Sequence, residues 1–249
     1  MDNNLGMGNM KKLNYLYKCL FLQLIIIFFA TTATAEVLGL AGVSHSDQST
    51  YAYIGAIIPI NSNLGEQGFR IKLWGNYQDY DYDGKLVGGP TGTTTSFNGD
   101  GFGGDLSLGY QWNFQNVTVT AYAGVALRDI DISPDDPASD TEDDDVGARF
   151  QLELNPQFSS NVDASLIGSY TVGFDSYWVR GRPGYTFTNG LKFGPELVVM
   201  GGDDYDKQRF GAFLSGFNFG SVNVGINGGY EDGDDDDGVY GGISLSTVF

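Results

Sequence analysis

The chain has 249 residues, with 13 Lys and Arg against 31 Asp and Glu, for a formal net charge of −18. Acidity of this size excludes nucleic acid as a partner, because its phosphates would be repelled. The 37 Gly and the 14% aromatic content favour strands and tight turns over helices, and nothing reads as a linker to a second domain.

Lys11, Lys12 and Lys18 precede an apolar run from Leu20 to Ala30, which ends in the small residues Ala33, Thr34 and Ala35. That order predicts a cleaved secretory signal over residues 1–35, cut before Glu36. The run is about eleven residues long, well short of the roughly 20 that a spanning helix needs. Cys19, the only cysteine, lies before the run, where it does not suit lipid attachment, and it leaves with the signal. The predicted mature chain, 36–249, loses three Lys and Asp2, so 10 basic groups face 30 acidic ones, net −20.

No later stretch is long and apolar enough for a spanning helix, so a membrane crossing needs a closed barrel, which leaves no unpaired backbone edge in lipid. Such a barrel requires segments of about ten residues that alternate in polarity. In chain order, twelve candidate strands centre near residues 40, 55, 73, 107, 122, 151, 167, 180, 195, 212, 226 and 244. The clearest begins at Val117: Val117, Val119, Ala121, Ala123, Val125 and Leu127 alternate with Thr118, Thr120, Tyr122, Gly124, Ala126 and Arg128. Residues 162–172 and 222–230 behave likewise, whereas 37–60 alternate poorly, which leaves a count of ten open.

Alternation alone also fits a soluble sandwich. The connections separate the two readings. Odd-numbered gaps, at 44–49, 80–100, 130–146, 173–175, 202–207 and 231–238, hold both long insertions and most of the Asp. Even-numbered gaps, at 61–67, 113–116, 157–161, 188–190 and 219–221, are short and nearly uncharged. An up-and-down barrel puts alternate connections on one end, so the sorting predicts long outer loops and tight periplasmic turns. The fold class is therefore all-β: a transmembrane up-and-down antiparallel β-barrel of twelve strands over residues 36–249, in the outer membrane of a Gram-negative cell.

In the last strand Val239, Gly241, Ile243, Leu245, Thr247 and Phe249 share a face, resembling the terminal aromatic tail by which outer-membrane proteins are recognised for insertion. Tyr110, Trp112, Tyr170, Tyr177, Tyr185, Phe193 and Tyr230 lie near strand ends and are candidates for interfacial aromatic girdles.

The runs SDQSTYAYIGAI (46–57), ISPDDP (132–137), YWVRGRPGY (177–185) and GPELVVMGGDDYD (194–206) resemble the cellulose biosynthesis protein BcsS family of outer-membrane proteins. YWVRGR and GPE are the more specific parts. The resemblance implies a place in exopolysaccharide production, with cellulose or other cellulose-synthesis components as partners, and carries no catalytic mechanism. EDGDDDDG (231–238) is more acidic than the family leads one to expect.

The alternation turns Arg70, Lys72, Arg128, Arg149, Arg180, Arg182, Lys192 and Arg209 toward the lumen, with Asp105, Glu153, Asp163 and Glu196. Trp74 and Trp178 are also inward and suited to stack on sugar rings, while arginines offer several donors to hydroxyls. The candidate glycan contacts are thus Arg70, Lys72, Trp74, Arg149, Trp178, Arg180, Arg182 and Arg209. Arg180 and Arg182 stand about 7 Å apart on one strand, a spacing that suits adjacent hydroxyls. The competing reading is a salt-bridged interior that only stabilises the barrel.

Neither a catalytic site nor a cofactor is expected. His45, the only histidine, has no nucleophile motif around it. Asp79, Asp81, Asp83 and Gly84 match the opening of an EF-hand calcium loop, but its twelfth position is Pro90 where a bidentate Glu is required. Weak divalent-cation bridging at 143–145 or 234–237 stays open beside a plain solvated acidic loop. The function classes that survive are an accessory barrel for cellulose export and a structural or adhesive surface barrel with a closed lumen; a lipid- or glycan-modifying enzyme is a distant third.

Overall fold

Twelve strands alternate their side chains between a greasy outer face and a polar inner one. The computed structural model describes residues 36–84, 94–136, 143–202, 205–233 and 237–249; the predicted signal lies outside them. The strands are β1 (Leu38–Ser46), β2 (Ser49–Ile60), β3 (Gly68–Gly84), β4 (Thr95–Asn113), β5 (Val117–Ser133) and β6 (Asp143–Pro156). They continue as β7 (Val162–Val172), β8 (Ser176–Thr186), β9 (Lys192–Gly202), β10 (Tyr205–Phe219), β11 (Val222–Gly233) and β12 (Gly238–Val248). Each pairs antiparallel with its sequence neighbours, and β1 pairs β12 from Leu38↔Val248 to Ser46↔Tyr240, closing the barrel. The expected count of twelve holds, and the weakly alternating residues 37–60 form two of the strands.

On β5 the inward Thr120, Tyr122 and Ala126 are buried, while the outward Val125 and Leu127 are more than half exposed. Leu106, Leu108, Val146 and Phe150 are equally bare. A contiguous apolar surface of this kind is unfavourable in water and marks a face made for another medium. Aromatic residues bound the band. Phe69 meets Tyr110 edge-on at 4.9 Å on the short-turn end, and Tyr77 meets Phe102 at 5.0 Å on the other. Phe69 and Tyr77 are eight residues apart, as are Tyr177 and Tyr185. That spacing is about 27 Å of strand, or roughly 20 Å of height at a tilt of about 40°, close to the apolar band of outer-membrane barrels.

The parity of the connections stands, but half of the two long insertions is strand, over 80–84, 95–100, 130–133 and 143–146. β3, β4 and β5 run 17, 19 and 17 residues, against 11 for β7, β8 and β9, so one side of the wall rises beyond the apolar band. The reason is an inward apolar cluster that the loop reading of 80–100 and 130–146 did not foresee. Phe97, Ile130 and Ile132 are buried together, and Tyr82 stacks on Phe97 at 5.2 Å while its hydroxyl donates to Asp136 at 2.9 Å. The outer face of this extension carries Asp79, Asp100 and Asp131 directly opposite one another on three neighbouring strands. Like charges so paired are destabilising outside water, so this face must be solvated.

Inward glycines let neighbouring rings lie flat along the wall. A Cβ on Gly109 would stand 2.3 Å from Tyr122 Cδ1 and 2.8 Å from the Ala121 carbonyl oxygen. Gly109→Ala should therefore destabilise the barrel by about 1–3 kcal/mol through overpacking. Gly168→Ala, which meets only Val179 at 3.7 Å, should stay within about 0.5 kcal/mol. Urea unfolding of both variants from detergent micelles checks the contrast.

Candidate functional site in the barrel lumen

Strand register places all eight candidate residues on inward faces, but it gives them different employment. The guanidinium of Arg70 closes the β2–β3 turn. Its Nη1 donates to Ser62 Oγ at 2.8 Å, and its Nη2 to the carbonyls of Asn63 at 3.1 Å, Leu64 at 3.2 Å and Glu66. Gln111 and Asn113 reach the same turn from β4, through the carbonyls of Glu66 and Gly65. With its donors so engaged and 1% of its surface exposed, Arg70 is a turn clamp, and its reading as a glycan contact is set aside.

Two polar networks occupy opposite sides of the lumen. In the first, Asp105 takes Lys72 Nζ and Arg149 Nε, each at 3.4 Å. Lys72 also donates to Gln151 Oε1 at 2.7 Å, and the Gln151 amide donates to Glu153 at 2.6 Å. Arg149 reaches Thr171 and Ser169 at 3.1 and 3.0 Å. In the second, Glu196 accepts from Arg182 Nε, from Asn227 Nδ2 at 2.8 Å and from the Tyr240 hydroxyl at 3.0 Å. Beside it Glu231 pairs with Arg209 and with Lys207 at 3.6 Å, and Arg209 reaches across to Ser44 at 3.2 Å. Arg128–Asp145 at 2.5 Å and Lys192–Asp163 complete the ion pairs among the described residues of these faces.

Arg180 is the exception. It makes no hydrogen bond or ion pair among the described residues, its Nε is buried and unpartnered, and its guanidinium carbon lies 5.3 Å from the centre of the Trp178 ring. Arg180 and Arg182 are therefore not an equivalent pair: Glu196 holds Arg182, and among the described residues no hydrogen bond or ion pair holds Arg180.

Six places away in the closed strand order, β2 and β3 carry an aromatic seam. Tyr53 stacks on Trp74 at 4.6 Å and 12°, Tyr51 lies 6.1 Å from Tyr53, and Trp74 Nε1 donates to the Tyr51 hydroxyl at 3.2 Å. Gly55 makes room for it, since a Cβ there would be 2.5 Å from the Trp74 ring. In a closed twelve-strand order β2 stands opposite β8, so this seam faces the wall that carries Trp178 and Arg180. Sequence reasoning missed Tyr51 and Tyr53, although their alternation with Ala52 and Ile54 was the available signal. It also missed Lys207, Glu231 and Asp145, whose parity with Arg209, Gly229 and Arg149 turns them inward.

The more specific family-like runs, YWVRGR and GPE, fall on β8 and β9. Pro183 and Pro195 lack the ladder N–H, and the pairing lapses from Gly181↔Leu197 to Tyr185↔Phe193. A Cβ on Gly194 would be 1.9 Å from the Pro183 carbonyl oxygen, so this close approach requires Gly. The remaining candidates fall elsewhere. His45 is exposed and meets Thr50 at 2.9 Å. Asp79, Asp81 and Asp83 share the outer face of an extended strand, which cannot wrap an ion as an EF-hand loop does; Pro90 lies outside the described residues. Asp145 is engaged by Arg128, residues 234–236 lie outside the described residues, and among the described residues no cluster of His, Cys, Asp or Glu is arranged to hold a metal.

A model of the cellulose biosynthesis protein BcsS family matches residues 39–249, nearly the whole barrel. The chain is similar in structure to the COG4313 outer membrane channel from Pseudomonas putida F1, with a TM-score of 0.58 and 12% identity over 88% of this chain and 97% of that one. It is also similar to the transport unit of the autotransporter AIDA-I from Escherichia coli, with a TM-score of 0.50 and 8% identity over 86% and 89% of the two chains. At such identities the likeness is one of fold: a closed barrel of the outer-membrane type. No curated protein matches the chain by sequence.

Proposed function

Because the chain belongs to the cellulose biosynthesis protein BcsS family, we propose that it resides in the outer membrane and is an accessory barrel in cellulose export, with the aromatic seam of its lumen meeting the glucan. The observation that carries this reading is the Tyr51–Tyr53–Trp74 stack, which lines the inner wall instead of the lipid face. A stacked pair still offers its outer ring surface and edges to the apolar C–H faces of pyranose units, and nearby tyrosine hydroxyls supply hydrogen bonds. The outward apolar band and its two aromatic girdles support residence in a bilayer of outer-membrane thickness.

Deleting the gene should lower extracellular cellulose severalfold while inner-membrane synthase activity in isolated vesicles stays unchanged. A complementing copy with Trp74→Ala, assembled to equal abundance, should restore only part of the output. Normal output in the deletion strain would refute the export reading.

A second reading, a surface barrel with a closed lumen, is favoured by the bonds that link strands which are not neighbours. Lys72–Gln151, Arg209–Ser44 and Tyr240–Glu196 are such chords. It predicts a barrel whose loss leaves cellulose output untouched.

A further inference from the structure

The geometry points to a binding position at Arg180 for a sugar residue that bears an ionised acid group. The inference rests on the reading of the lumen as a glycan surface and narrows its ligand from a neutral glucan to an anionic saccharide.

The eight inward cations foreseen from sequence become nine with Lys207, so every described Lys and Arg lies on the inner face within a chain whose net charge is −18. Asp145 and Glu231 join the four foreseen carboxylates in the polar networks, making six there, and Asp136 lies buried at the rim beside Tyr82. Five of the six carboxylates have a cationic partner: Asp105 and Glu231 hold two each, and Asp145, Asp163 and Glu196 one each. The sixth, Glu153, accepts from the Gln151 amide. Among the cations, Arg70 is engaged by turn carbonyls and the rest are paired, which leaves Arg180.

A guanidinium withdrawn from bulk water is costly when the carboxylates near it, Glu196 and Glu153, are hydrogen-bonded to other groups, and a bound anion relieves that cost whereas a neutral hydroxyl does not. The neighbouring Arg182 adds to the pull, because its partner Glu196 already serves Asn227 and Tyr240 as well. Trp178 lies beside Arg180 at 5.3 Å and offers an apolar surface to the ring that carries the acid. The Tyr53–Trp74 stack on the facing wall offers a second. Hydrogen bonds from a charged donor to an ionised acceptor are about twice as strong as neutral ones, so the acid group should dominate the preference.

The test is calorimetric titration of the purified barrel with a β-1,4-linked glucuronic acid tetramer, with cellotetraose and with inorganic phosphate. The acidic tetramer is expected to bind at least tenfold more tightly than cellotetraose, with phosphate weaker than either. Arg180→Gln should abolish the difference between the tetramers, and Arg180→Lys should restore part of it; heat-modifiable migration on gels reports that each variant is assembled. Equal affinities for the two tetramers, an unchanged ratio in Arg180→Gln, phosphate as tight as the acidic tetramer, or no binding at all would each overturn the inference. Its failure is separable from that of the export reading: cellotetraose binding indifferent to Arg180, with lowered cellulose in the deletion strain, would leave a neutral-glucan barrel standing.

Discussion

Glu196→Ala is expected to lower the unfolding free energy of the barrel by about 3 kcal/mol, the range seen when one partner of a buried ion pair is removed. The carboxylate is 3% exposed and serves three donors from three other strands: Arg182 on β8, Asn227 on β11 and Tyr240 on β12. Truncation leaves a guanidinium, an amide and a phenol without their acceptor in a half-dry interior. Glu196→Gln keeps an acceptor oxygen but not the charge, and should lose about half as much. The double variant Arg182→Met with Glu196→Leu should recover the part of the loss that the stranded guanidinium causes, because an apolar pair replaces a desolvated ionic one, while Asn227 and Tyr240 still lack their acceptor. Urea midpoints at constant m-value, measured in one detergent, decide it. A loss below about 1 kcal/mol for Glu196→Ala would mean that lumen water already satisfies these groups.

Asp105→Ala is expected to cost about as much, again roughly 3 kcal/mol, because it strands two cations at once. Lys72 and Arg149 both rest on this carboxylate at 3.4 Å, and Ser107 donates to it at 3.1 Å. Lys72 has only the Gln151 carbonyl oxygen left as an acceptor. The control is an Asp on the other face of the wall. Asp79 opposes Asp100 on the solvated extension, so Asp79→Asn should be neutral or stabilising by a few tenths of a kcal/mol. Thermal unfolding of the three proteins in parallel, followed by heat-modifiable migration, separates an inner-wall effect from a general one.

The barrel was legible because a membrane wall imposes its own grammar. Val119, Val125 and Leu127 against Thr120, Tyr122 and Ala126 state both the strand and its direction of burial. The sorting of connections by parity then distinguishes the barrel from a sandwich. The height of the β3–β5 side was not legible, because Tyr80, Asp81, Tyr82 and Asp83 alternate aromatic with acidic residues, and so many carboxylates read as loop. Only the packing of Tyr82, Phe97, Ile130 and Ile132, brought together from three strands, turns that stretch into wall.

The site was half legible, for a similar reason. Alternation gives the face on which a side chain lies, so Arg70, Lys72, Trp74, Arg149, Trp178, Arg180, Arg182 and Arg209 were all placed inward correctly. Which of them has a partner depends on register between strands distant in sequence. Arg209 meets Ser44 across 165 positions, and Tyr240 meets Glu196 across 44. A single strand pattern contains no information on such chords. Arg70 and Arg180 illustrate the limit: both read as inward arginines, yet one is saturated by turn carbonyls and the other has no hydrogen bond or ion pair among the described residues.

Single-channel recording of the purified barrel in a planar bilayer, with cellohexaose added to one side, asks whether the lumen takes up a glycan as proposed. The barrel is expected to conduct, with brief, sugar-dependent blocks that Trp74→Ala shortens at least severalfold. An inserted barrel that never conducts, or one that conducts with no block at saturating cellohexaose, would contradict the proposal.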